Sequence, residues 1–226
     1  MITDVLIISE VVSAVLALVL VYLFLKGYRL RRSVFLLGLP FGFSFLAASY
    51  IFLGLSLQYG SNQGVSDAFL WLRLFTQSFG FAFIAFSYLF SSRAQRTAKY
   101  FFAAISLASF GSVLLLFGIL VIAPPFFQLP SVGFVDEVFR IANLLFLGYI
   151  VYFLIRRLES FPTSVSELIS APIAFLILWI AQFCSLIWGV DGSLTAFVAA
   201  HIARIISLVH FIRIYYLTER TTDETK

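Results

Sequence analysis

The chain has 226 residues, of which 62% are hydrophobic and only 12% are charged, where soluble domains average about 25% charged. With a mean hydropathy of +1.03 it reads as an integral membrane protein, and a water-soluble globular domain is excluded. The net charge of +4 follows from basic loops that steer insertion, so it implies no nucleic-acid partner.

Seven stretches of about 20 apolar residues recur along the chain, each long enough to cross a hydrocarbon core of ~30 Å as a helix. They fall at residues 4–25, 34–57, 67–90, 99–122, 134–155, 168–189 and 194–217. The first has Asp4 and Glu10 in place of a basic leader and is followed by basic residues, so it is expected to be a retained helix. Pro40 lies within the second stretch and predicts a kink. Pro172 is expected in the first turn of the sixth, where a missing N–H costs little. Gly38, Gly42, Gly80, Gly111, Gly118 and Gly148 would let helices approach closely. The prolines and aromatics of APPFFQLP suit a segment at headgroup level.

Alternate loops carry the basic residues: Lys26, Arg29, Arg31 and Arg32; Arg93, Arg96 and Lys99; Arg156 and Arg157; then Arg213, Arg220 and Lys226. The intervening loops QYGSNQGVSD, APPFFQLPSVGFVDE and WGVDG contain no Lys or Arg. Because cytoplasmic loops retain basic residues, the expected topology has the N-terminus outside and the C-terminus in the cytoplasm. Short loops argue for a single all-α domain over residues 1–217, a seven-transmembrane-helix bundle in the cell membrane. Residues 218–226 would form a short polar cytoplasmic tail, leaving any output to a membrane or cytoplasmic protein partner.

The remaining basic residues, Arg73, Arg140 and Arg204, all fall inside expected helices. They recur at near-equal spacing in WLRLFTQS, VFRIANLL and IARIISLV, each followed within four residues by a polar Gln77, Asn143 or Ser207. Three related hairpins after an added first helix would produce this pattern. A guanidinium in hydrocarbon costs several kcal/mol or more, so each is expected to turn inward and find partners. Glu10, Arg73 and Arg140 lie about six residues inside their expected helix ends, roughly 9 Å, and Arg204 about ten, roughly 15 Å. His201 and Arg204 share one face of the seventh helix with Phe197 and Leu208, while His210 and Arg213 lie on the other side and are expected to reach cytoplasmic headgroups.

The pocket expected from these residues is open to the outside and lined by Glu10, Arg73, Gln77, Arg140, Asn143, His201, Arg204 and Ser207. Its positive excess favours an anionic small molecule or lipid headgroup, to which guanidinium offers a fork of donors. Two structural alternatives stand beside it. Asp136 and Glu137 lie four and three residues before Arg140 and could pair with it locally, and Glu10 could neutralise Arg73 or Arg204 in a register-fixing bridge. The function expected is therefore a receptor-like sensor or binding protein, with an accessory subunit of a larger membrane complex and a small transporter as alternatives; a proton or ion pathway would use the same residues.

Chemistry is argued against on several counts. The two histidines are nine residues apart on one helix and about half a turn out of phase, unable to grip one haem iron or complete a zinc site. Lys26, Lys99 and Lys226 all lie outside the seventh helix, so a retinal Schiff base has no attachment point there. No Walker loop, nucleophile elbow or paired intramembrane carboxylates occur. No cofactor, metal or enzymatic activity is expected, and the lone Cys184 reads as a packing residue. Helix count and orientation resemble the seven-helix sensory regions at the N-termini of some prokaryotic histidine kinases, a likeness that carries over no residue.

Overall fold

The computed structural model describes residues 2–31, 34–90, 111, 132–158 and 165–223. Six long helices are found there: α1 (Ile2–Arg31), α2 (Val34–Gln58), α3 (Gln63–Phe90), α4 (Gly133–Leu158), α5 (Val165–Asp191) and α6 (Leu194–Asp223). All six are long and apolar enough to cross a membrane. The expected fourth stretch, 99–122, the APPFFQLP segment and the basic loop of Arg93, Arg96 and Lys99 lie outside the described residues. The chain groups into two compact units, Met1–Phe139 and Arg140–Lys226, so α4 gives its residues up to Phe139 to the first and the rest to the second.

Helix limits follow from local chemistry. Asn62 caps α3: its Oδ1 accepts from the Val65 N–H at 3.4 Å and its carbonyl from the Ser66 N–H at 2.9 Å. The helix therefore starts at Gln63 rather than residue 67, and Arg73 lies ten residues in, roughly 15 Å deep rather than 9 Å. Because α5 begins at Val165, Pro172 stands two turns inside it and not in the first turn, so one intrahelical bond to the preceding turn is absent. No Gly or Pro interrupts the chain after Leu217, and α6 continues to Asp223 through most of the stretch expected to be an unfolded tail.

In the first unit α1 packs on α2 and α2 on α3. Glu10, Ser13, Ala14, Ala17 and Leu20 are buried along one stripe of α1, while Val5, Ile8, Val12, Val15, Val19 and Tyr22 are exposed on another, the arrangement expected when lipid is the outer solvent. Phe24 stacks on Phe43 at 5.5 Å. Between α2 and α3 the contact is backbone to backbone: a Cβ added at Gly42 would meet the Gly80 carbonyl oxygen at 2.9 Å, and one at Gly80 would meet the Gly42 oxygen at 2.9 Å. Phe45 fills the adjoining space, with Phe79 at 6.0 Å and Phe83 at 5.4 Å. Hydroxyls are satisfied locally: Ser13, Ser44, Ser49, Thr76 and Ser87 each donate to a carbonyl of their own helix one turn back.

In the second unit α5 packs on α6 through a turn of two residues. Gly192, at φ 69°, occupies the left-handed region and donates its N–H to the Trp188 carbonyl at 2.9 Å, ending α5. The Ser193 hydroxyl accepts from the Ala196 N–H at 3.3 Å and so begins α6. Farther along the pair, the Ser207 hydroxyl donates to the Ala174 carbonyl at 2.8 Å, and Phe175 meets Phe211 edge to face at 4.6 Å.

The Gly42 and Gly80 contact generates a test. Gly80→Leu is expected to cost about 1–3 kcal/mol by overpacking, measured by reversible unfolding in mixed micelles. Gly133→Ala, where an added Cβ meets nothing within 4 Å, should be neutral. Equal effects of the two changes would refute the backbone contact.

Candidate functional site

Each unit holds its own set of the polar residues expected to line a pocket. Glu10, Arg73 and Gln77 belong to the first unit, and Arg140, Asn143, His201, Arg204 and Ser207 to the second.

In the first unit Glu10 is fully buried on α1, and its Cβ lies 3.7 Å from where a side chain at Gly54 would begin; the glycine makes room for the carboxylate. Arg73, on α3, approaches Asp136 at the start of α4, Nη1 to Oδ1 3.9 Å, with both side chains largely covered. That exceeds the ~2.8 Å of a charge-assisted hydrogen bond, so the two act as a charge pair. Phe75 and Phe139 meet edge to face at 5.3 Å beside it. Asp136, which the sequence offers as a local partner for Arg140, thus lies beside Arg73. Gln77 is 4% exposed and its Oε1 accepts no hydrogen bond among the described residues.

In the second unit Arg140 is 2% exposed. One guanidinium nitrogen donates to the Ser185 carbonyl of α5, and the charge lies over the Trp188 ring, 5.7 Å from its centroid. Ser185 is in the last two turns of α5, the end of the helix that carries about half a negative charge. A cation over an indole near a helix C-terminus is stabilised by both the dipole and the ring quadrupole. Trp188 continues the contact, with Phe197 at 4.7 Å and then His201 at 4.4 Å from Phe197. Arg140 of α4 is thereby joined to His201 of α6 through two rings.

One turn beyond His201, Arg204 is buried at 7% exposure, and Asn143, one turn after Arg140, is fully buried. His201 and Arg204 share a face as their spacing predicts. Ser207 also faces inward, but its hydroxyl is engaged by the Ala174 carbonyl. Trp179 ties α5 to α4 by donating its indole N–H to the Leu144 carbonyl at 3.1 Å, over Gly148. Arg213 is exposed, whereas His210 is half-buried with Nε2 enclosed, contrary to the expectation that both reach headgroups. Gln182 is buried and Cys184 half-buried.

Sequence reasoning missed Trp188 as the partner of Arg140 and the Ser185 carbonyl as its acceptor. The available signal was Trp188 beside the Gly192 break, which puts an aromatic ring in the last turn of a helix. Comparison with family models, curated proteins and solved structures finds no match.

The charge pair of the first unit can be measured by a double-mutant cycle. Arg73→Gln and Asp136→Asn are each expected to cost about 1–3 kcal/mol, and the double change less than their sum. Strict additivity would mean that the two side chains do not interact.

Proposed function

We propose that the chain is a non-enzymatic seven-helix protein of the cell membrane, with residues 99–122 supplying the fourth span, the N-terminus outside and the C-terminus in the cytoplasm. In this reading it is a receptor-like sensor or binding protein for a small anionic molecule or an anionic headgroup. The observation that carries it is the setting of Arg140: a buried guanidinium that donates to the Ser185 carbonyl and lies over the Trp188 ring, contacts that hold its fork in one direction. Arg204 and Asn143 are buried in the same unit, and His201 is joined to Arg140 through Trp188 and Phe197. Such a set suits carboxylate or phosphate oxygens, which accept from a fixed fork of donors. Glu10, Arg73 and Gln77 would supply the polar layer of the first unit, and α6, unbroken from His201 and Arg204 to Asp223, would carry the signal inward.

The pairing of Arg73 with Asp136 favours a second reading for that arginine, a helix-register bridge of the kind an accessory subunit uses. A ligand titration separates the two. Purified protein is heated with a panel of small carboxylates and phosphates. The sensor reading expects one of them to stabilise the fold, by about 2.7 kcal/mol at one hundred times its Kd, and Arg204→Gln to abolish that gain. A flat response across the panel with unaltered protein would favour the subunit reading.

Orientation is checked by cysteine labelling in a Cys184→Ser background. Ser61→Cys should react with an impermeant maleimide in intact cells, and Lys226→Cys only after permeabilisation; the reverse pattern inverts the topology.

A further inference from the structure

We propose that the end of α4 carrying Tyr152 and Arg156 docks one anionic phospholipid. The site is distinct from the residues assigned to anion binding above and does not depend on that reading. Arg156 closes the membrane-spanning part of α4, Val135–Arg156, and its Nη1 donates to the Tyr152 hydroxyl one turn earlier at 3.5 Å. Both side chains are exposed. A phenol that accepts from a guanidinium still has its own O–H to donate. A cation and a hydroxyl donor therefore stand together where the helix leaves hydrocarbon, the depth at which a leaflet holds its phosphates.

Below them the same side of α4 is apolar. Ile155, Tyr152, Leu145 and Ile141 are exposed at spacings that keep them on one helical stripe. From Ile155 to Leu145 the helix rises about 15 Å, the hydrocarbon depth of one leaflet. An acyl chain laid along Ile155, the Tyr152 ring and Leu145 brings its own phosphate to Arg156. A zwitterionic headgroup would bring an ammonium to the same place, where the guanidinium repels it. The geometry thus selects a lipid with net negative charge.

The test uses the full chain purified in mild detergent with equal phosphatidylglycerol and phosphatidylcholine, and counts retained lipids by native mass spectrometry. Phosphatidylglycerol should be retained in preference, Arg156→Gln should cut its retention about fivefold, the worth of one interfacial basic residue at an anionic surface, and Tyr152→Phe should give a smaller loss. Arg213→Gln, which removes another exposed arginine, should cut retention less than Arg156→Gln does. Equal retention of the two lipids, no response to Arg156→Gln, or an equal loss in Arg213→Gln would overturn the assignment. So would displacement of the lipid by millimolar inorganic phosphate, which would make the pair a plain anion site.

Discussion

In hydrocarbon a polar atom cannot turn to water, so every donor must find an acceptor within the protein. That constraint explains which contacts the helices make. Short hydroxyls meet it within their own helix, as Ser13, Ser49, Thr76 and Ser87 do by donating one turn back. Longer or more demanding groups must reach across to a neighbour. Arg140, Trp179 and Ser207 donate to Ser185, Leu144 and Ala174 respectively, each a main-chain carbonyl on another helix. Carbonyl oxygens have a second lone pair left over from the helical ladder, so these bonds form without breaking the acceptor helix. The polar side chains of the second unit thus hold α4, α5 and α6 together where the hydrophobic effect cannot, because lipid tails are as apolar as the side chains themselves.

The two units solve the arginine problem differently. Arg73 has a carboxylate, Asp136, close at hand. Arg140 is set against dipoles: the carbonyl end of α5 and the face of an indole. A carboxylate holds a guanidinium by its charge, whereas a carbonyl and a ring face fix the direction of its fork.

Much of the architecture was legible in the sequence. Runs of apolar residues interrupted by basic loops mark the spans, and three-residue spacing places His201 with Arg204. What the sequence concealed was of two kinds. Local caps shifted the depth scale: Asn62 reads as a loop residue, yet capping starts α3 early and sinks Arg73 by a turn. Pro172 was misplaced because Ser166 and Glu167 look like loop residues although α5 already includes them. The second kind is partner choice. Periodicity says that Ser207 faces inward, but not that the Ala174 carbonyl will engage it, and no pattern along the chain links Arg140 to Trp188, separated by most of two helices. His210 shows the same limit, since its enclosure depends on neighbours rather than on its own position.

The connection between α5 and α6 has a consequence for biogenesis. A glycine at positive φ and a serine cap close the turn, and the Ser207 and Phe211 contacts fasten the hairpin at its far end. Two helices joined this tightly can leave the translocation machinery as one body. Arg204, buried in the finished unit, would then enter the bilayer on a helix already packed against α5, which would lower the cost of placing a guanidinium among acyl chains.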